Sequence, residues 1–452
     1  MSVFRRNAVR MWALLLALSL LGGCTSPAVE ETPSPTPESP VPTMTTPVEE
    51  SAAPLTREEA WLKDIEAFSE GYKTNHIDLF YWRDEAFFDQ QVEELKTQVG
   101  DLTDDEIVVS LARIINSMQD AHSSVVVGAY VTQYFPFELQ ALEDGLYILN
   151  VLCGEIPDYS NCLYAKVIAV NGVDAGEIEA QLRPIAFGDR YKVGQSTGYG
   201  GYFLPQVLTA LGVPNYGDAF TFTLEGADGA VFEQEVEPID YETYSACRQQ
   251  VDYSMLFETD TGENWYTCLE DGSTLYFAYN TCSDPDGTLN ATLEEILAVL
   301  KQGQVETLIV DLRNNSGGNS GLIASFVKNL RLNPHYYENF YIVIDGYTFS
   351  AGVDAAGRFS ECEGAVLIGE PTRQYPDDLG DSRQFVLPHS GLICTYSIGL
   401  FLYHCGYREV TDDLPRLNYE ETSIEPDIYI ANDIDAWKGQ YDNVLNYILE
   451  HT

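Results

Sequence analysis

The sequence predicts an α/β fold preceded by a helical N-terminal segment and an irregular β region. From about residue 272 onward, short apolar runs such as Thr307–Leu312 alternate with stretches of helical character. That alternation marks buried strands joined by helical crossovers. Residues 57–128 instead carry two helix-start signatures, and residues 129–240 carry short apolar runs broken by Gly and Asn.

Taken in order, the chain opens with a basic start (Arg5, Arg6, Arg10) and the apolar run Met11–Leu21. These eleven residues fall short of the ~20 that a helix needs to span a bilayer, and the pattern is that of a secretory signal. Leu21-Gly22-Gly23-Cys24 resembles a bacterial lipobox, which implies a signal over 1–23 and a lipid on the Cys24 thiol. An ordinary secretory signal with a chance cysteine is the alternative. Residues 25–54 hold eight prolines and no Lys or Arg, a composition unable to offset its ordering entropy by burial. Segment 24–55 is therefore expected to be a tether holding the rest of an extracytoplasmic protein away from a membrane.

A formal charge of −46 repels nucleic acid and anionic headgroups alike, so no nucleic-acid partner is expected. Eight cysteines remain beyond Cys24, an even number that suggests disulfides in an exported chain. Cys153 with Cys162, Cys268 with Cys282 and Cys394 with Cys405 are the neighbouring pairs; buried free thiols are the alternative. No zinc-like spacing of Cys and His occurs, so neither a metal nor another cofactor is expected.

Thr56-Arg57-Glu58-Glu59 and Thr103-Asp104-Asp105-Glu106 are capping boxes. The first predicts a helix to about Tyr72, the second a helix ending near Gln119, which delivers Asp120-Ala121-His122-Ser123 onto a turn. Strands are expected at Leu146–Leu152, Ala165–Val170, Phe220–Leu224 and Val231–Val236, with a helix near Glu177–Leu182. The Gly- and Tyr-rich stretch 191–203 reads equally as a ligand-facing loop or a solvated insertion. In the core, strands are expected at Leu275–Tyr279, Thr307–Leu312, Tyr341–Ile344 and Ala365–Ile368. Helices are expected at Thr292–Leu300, Gly321–Leu330 and Ser350–Phe359, with a terminal helix over Asp435–Leu449.

Two strand ends carry the chemistry. One runs into Gly317-Gly318, the other into Thr348-Phe349-Ser350-Ala351-Gly352. A serine at a strand-to-helix turn is placed as an exposed nucleophile, and nearby backbone N–H groups can receive an oxyanion. Taken alone, such a serine reads more readily as a helix N-cap, and Gly-Gly as a turn.

Asp311-Leu312-Arg313-Asn314-Asn315-Ser316-Gly317-Gly318 resembles the Asp-Leu-Arg-x-Asn-x-Gly-Gly signature of the C-terminal processing (tail-specific) serine proteases, a group that includes tricorn protease. The segment around Ser350, Gly369-Glu370-Pro371-Thr372, Glu425-Pro426-Asp427-Ile428 and Asp120-Ala121-His122-Ser123 are similar to further family elements in the same order. The resemblance implies a crotonase/Clp-protease-like core (241–452), an N-terminal helical domain (56–128) and a PDZ-like β domain (129–240). It implies Ser350 as nucleophile, Gly317 or Gly318 with Ala351 as oxyanion hole, and protein or peptide substrates.

Bacterial members use a lysine about 25 residues after the serine, where this chain has none. Arginine stays protonated and cannot replace it. The tricorn-like branch uses a histidine, which falls on His122. This chain departs from that branch at Ala121 and from the family at Val353. The group orienting His122 stays open between Asp120, Glu370 and Glu409, and His389 and His404 are alternative bases. Two readings follow: a serine endopeptidase using Ser350 and His122, or a non-catalytic peptide- or ligand-binding lipoprotein on the same scaffold. An acyl-CoA enzyme is disfavoured because export removes the cofactor.

Overall fold

The computed structural model describes residues 54–452 apart from 153, 155, 187–201, 216, 249–262, 270–271, 375–376, 403–405, 409–422 and 432. The signal, Cys24, nearly all of the tether and most of the 191–203 stretch lie outside the described residues, as do Cys153, His404, Cys405 and Glu409.

Helix α1 (Arg57–Asn75) buries Trp61, Ile65, Phe68 and Tyr72, an i, i+4, i+7, i+11 stripe. Helix α2 (Glu85–Gln98) was not anticipated, although Asp84 caps the Phe87 amide and Phe88, Val92 and Leu95 form its buried face. Helix α3 (Asp104–Ser117) opens on a reciprocal capping box between Thr103 and Glu106. It stops because Gln119 turns left-handed, at φ 68°. Strand β1 (Ser124–Val125) follows directly.

Strands β2 (Phe137–Leu142), β3 (Gly145–Val151) and β4 (Lys166–Val170) come next, then helix α4 (Ala175–Ala186), β5 (Phe220–Glu225) and β6 (Val231–Val236). They lie side by side in chain order, each antiparallel to the next. Asn171 and Gly172, at φ 47° and 80°, make the paired left-handed turn that a tight hairpin demands. One apolar cluster runs from Trp61 to Val236. The helical segment and this sheet therefore share a core rather than each burying its own.

The second half contains β7 (Trp265–Cys268), β8 (Thr274–Ala278), α5 (Leu289–Leu300), β9 (Thr307–Asp311), α6 (Ala324–Leu332), β10 (Asn339–Ile344), α7 (Ala351–Ser360) and β11 (Ala365–Gly369). Next come a long hairpin, β12 (Asp378–Val386) and β13 (Ile393–Leu402), then β14 (Gly406–Arg408), β15 (Ile428–Tyr429), α8 (Ile434–Gly439) and α9 (Asn443–His451). The main sheet has the order β7-β8-β9-β10-β11-β15. From β8 onward its neighbours are parallel, and β7 is an antiparallel edge. Alternate residues face opposite layers, as strand geometry requires. Leu308 and Val310 meet α5, α6 and α7, while Tyr276, Ala278 and Ile309 meet α9. The terminal helix expected over 435–449 is two helices, broken where Gln440 adopts φ 53°.

The β12–β13 hairpin joins the halves. Strand β13 pairs with β1 through Ser124 to Thr395 and Val125 to Cys394. The turn at its tip docks on α1, with the His389 and Ser390 amides donating to the buried Asp64 carboxylate at 2.9 and 2.6 Å. His389 is thus part of a turn, as its Pro and Gly neighbours suggest.

The disulfide expectation needs correction. All six described cysteines, 162, 247, 268, 282, 362 and 394, are free thiols. Cys268 is exposed on the edge strand β7, whereas Cys282 is buried and directs its thiol at Asn315 Oδ1, at 3.5 Å. Burial pushes the Cys282 and Cys394 thiols up to about 12 and those of Cys162 and Cys362 to about 11. Reactivity follows the thiolate, so among these six Ellman's reagent should modify Cys268 in the native protein well before the others. Equal rates at Cys268 and Cys282 would contradict the burial described.

Candidate active site

Ser350 stands between β10 and α7 at φ 52°, ψ −122°, a conformation that costs an L-residue about 1–3 kcal/mol. The strain keeps the side chain off the helix it precedes. Ser350 makes no capping hydrogen bond to α7, and its Oγ lies 3.0 Å from His122 Nε2 instead. That separation is within the range for proton transfer between a hydroxyl and an imidazole.

His122 reaches this point because its turn is fixed from two sides. The Asp120 carboxylate accepts its backbone N–H at 3.0 Å, and Thr395 of β13 donates its hydroxyl to the His122 carbonyl, also at 3.0 Å. The ring stacks on Phe349 at 4.6 Å between centroids, and the Arg373 guanidinium stands 5.2 Å from the Phe349 ring centre. A methyl group on Gly380 of β12 would lie 3.2 Å from His122 Cε1, so the missing side chain lets the strand pass beside the imidazole. Next to it Asp381 takes φ 56° in mid-strand. Sequence reasoning missed Phe349, Gly380 and Arg373 as neighbours of His122; they reach its surroundings only through contacts between segments distant in sequence.

Burial pushes His122 below its ordinary value, and Arg373 adds to the fall; Asp120, the Leu379 backbone and Asp381 act in the opposite sense. Nδ1 of His122 is buried and meets no side-chain partner among the described residues; the Leu379 backbone is the polar group that favours its protonation there. Of the groups considered for orienting the ring, Asp120 holds the His122 backbone, Glu370 is buried beyond the end of β11, and Glu409 lies outside the described residues.

The glycine turn packs directly on Ser350. A Cβ on Gly317 would fall 2.7 Å from Ser350 Cβ and 2.8 Å from the Ala351 nitrogen. Its own amide is committed to Asn315 Oδ1 at 3.0 Å, which removes it as an oxyanion donor. Among the described residues no acceptor takes the amide hydrogens of Gly318 or Ala351. Gly318, at φ 133°, has the Cys282 carbonyl oxygen only 2.4 Å from where a Cβ would stand.

The architecture is similar to that of solved structures of CPAF. Among solved structures, a serine-to-alanine mutant of CPAF superposes with TM-score 0.58 and 13% identity, over 87% of this chain and 96% of that one. Mature CPAF complexed with lactacystin gives TM-score 0.54 and 13% identity, over 87% and 97%. The photosystem II D1 C-terminal processing protease matches at TM-score 0.38 and 12% identity, over 83% and 94%. At these identities the likeness is one of fold. No protein-family model matches the sequence, and no curated protein does.

The Asp-Leu-Arg-x-Asn-x-Gly-Gly residues build this site rather than react in it. Asn315 is fully buried; its Nδ2 donates to the Tyr279 carbonyl at 2.6 Å, its Oδ1 receives Gly317, and its backbone oxygen accepts the Phe349 amide at 3.0 Å. Asp345 accepts the amides of Asn314, Tyr347 and Thr348 and the Thr348 hydroxyl, tying the end of β9 to the serine turn. Burial pushes its carboxyl up to about 6; Arg313 opposes this and Asp311 adds to it. Arg313 bridges Asp311 at 2.5 Å and Asp442, the N-cap of α9, at 2.6 Å. Burial disfavours its charge, but these carboxylates outweigh that and hold the guanidinium protonated. Removing Asp442 takes two hydrogen bonds from the buried guanidinium, which Asp311 still neutralises, and the N-cap from α9. Asp442→Ala is therefore expected to lower the unfolding free energy in urea by about 2 kcal/mol; a change within about 0.5 kcal/mol, typical of a surface site, would contradict the clamp.

Proposed function

We propose that this chain is an extracytoplasmic serine peptidase that cleaves proteins or peptides through an acyl-enzyme on Ser350. It is tethered to a bacterial membrane by a lipid on Cys24. The observation carrying the catalytic reading is the 3.0 Å approach of His122 Nε2 to Ser350 Oγ, between residues 228 apart in sequence on a fold shared with proteases. A strained serine turn and two amides without acceptors support it.

In the proposed reaction Ser350 Oγ attacks the scissile carbonyl as its proton passes to His122 Nε2. The carbonyl oxygen, now an anion, is received by the amides of Gly318 and Ala351. His122 returns the proton to the leaving amine as the C–N bond breaks, leaving an acyl ester on Ser350. Water then attacks this ester, again through His122, releasing the acid and restoring the serine.

A base must be unprotonated to act. Since the site depresses the proton affinity of His122, its imidazole is neutral at pH 7 and for some distance below. One observation favours the second reading, a binding lipoprotein on this scaffold: a base accepting from Ser350 at Nε2 carries its proton on Nδ1, and no side-chain carboxylate takes that atom among the described residues.

Labelling with a fluorophosphonate separates the readings. Wild type should label at Ser350, with a rate that is flat near neutrality and declines only below about pH 6.5, the ordinary histidine range. Ser350→Ala should not label, and His122→Ala should slow the reaction by about 10²–10⁴-fold. A folded wild-type protein that fails to label would leave the binding reading in place.

A further inference from the structure

His76 and Asp120 form a buried pair, 8% and 4% exposed, beneath the turn that carries His122. The Asp78 amide donates to His76 Nδ1 at 3.0 Å. That contact engages the Nδ1 lone pair, so the proton sits on Nε2 and is donated to Asp120 Oδ2, 2.8 Å away. The Ser123 hydroxyl donates to the same oxygen at 2.6 Å, while Oδ1 takes the His122 amide at 3.0 Å. One carboxylate thus fastens both ends of the Asp120–Ser123 turn.

The support for this carboxylate reaches beyond the turn. His76 directly follows α1, and the next residue, Ile77, donates its amide to the Ser397 carbonyl of β13 at 3.0 Å. Strand β13 is also the strand whose Thr395 holds the His122 carbonyl. The imidazole that meets Ser350 is therefore braced on one side by β13 directly, and on the other through His76 and Asp120.

We propose that His76, acting through Asp120, is a positioning residue that holds the His122 turn in reach of Ser350. This rests on the reading of Ser350 and His122 as a catalytic pair. A pair serving packing alone would be replaceable by apolar side chains at little cost. Here the anion also lies beside the base and favours its protonated form. Burial opposes ionisation of Asp120, but the His76 hydrogen bond, the neighbouring His122 and the Ser123 hydroxyl outweigh it and hold the carboxyl well below the usual range. The other groups felt here are Tyr72 of α1, toward Asp120, and Arg373 and Asp381, toward His122.

The test is the fluorophosphonate labelling rate of the full chain as a function of pH, with thermal unfolding followed in parallel. His76→Phe should slow labelling by about 10²-fold, the scale of a small misplacement of a reacting group. His76→Gln, whose amide can donate to Asp120, should recover most of that loss. Asp120→Asn removes the charge that favours protonated His122, so the acid limb should move to lower pH while the plateau falls. The Gln and Asn variants carry the test where the Phe variant does not fold. Folded variants that label within about threefold of wild type with an unmoved acid limb would overturn the positioning role while leaving the Ser350 reading intact. Equal losses in Phe and Gln variants without a pH shift would reduce the pair to packing. A wild type that does not label would remove the underlying reading, and the positioning role with it.

Discussion

Two backbone pairings decide whether there is a site at all. Ser124 and Val125 join Thr395 and Cys394 in an antiparallel ladder, and the Val126 amide continues it onto the Ile393 carbonyl at 2.9 Å. His122 is two residues before this ladder, whereas Ser350 belongs to the parallel sheet. The hairpin also packs into the first core through Leu387, Leu392 and Cys394. Its tip is held by Asp64, so a lone buried carboxylate on α1 helps set the distance between Ser350 and His122.

On the opposite side, the serine turn is shaped by absences of side-chain bulk. Gly317 lets the glycine turn lie against Ser350, and a Cβ on Gly352 would stand 2.5 Å from the Asn315 carbonyl oxygen. Asn315 and Asp345 then supply the hydrogen bonds that hold the strained backbone in place. The strain at Ser350 is tolerable because these neighbours over-determine it. Buried polar groups of this kind act as a network, in which each member is satisfied by the next.

Much of the fold was legible where local signals and tertiary burial agree. The capping box at Thr103 and the apolar run of β9 are such places, and so is the Asn171-Gly172 turn. Helix α2 was missed although Asp84 and its apolar stripe announce it. The β12–β13 hairpin was harder, because strands containing Asp378, Asp381, Arg383 and two glycines lack the apolar alternation that marks a strand. The terminal helix broke at Gly439-Gln440, and a single glycine within a helical pattern is too weak a signal to have foretold it. At the site, Ser350, His122 and the glycines were named from sequence. Their surroundings were not, because Gly380, Phe349 and His76 become neighbours only through long-range pairing. The cysteines misled because even parity says nothing about distance: Cys268 lies on an exposed edge and Cys282 under the glycine turn.

The guanidinium of Arg313 has a consequence for the life of the chain before it is finished. Its two carboxylates are Asp311, two residues away, and Asp442, 129 residues further on. At ordinary synthesis rates that gap is on the order of ten seconds. During this interval β9 and the serine turn can be made while the second carboxylate, which also caps α9, has yet to arrive. The support beneath the serine turn is thus completed only once α9 has been synthesised.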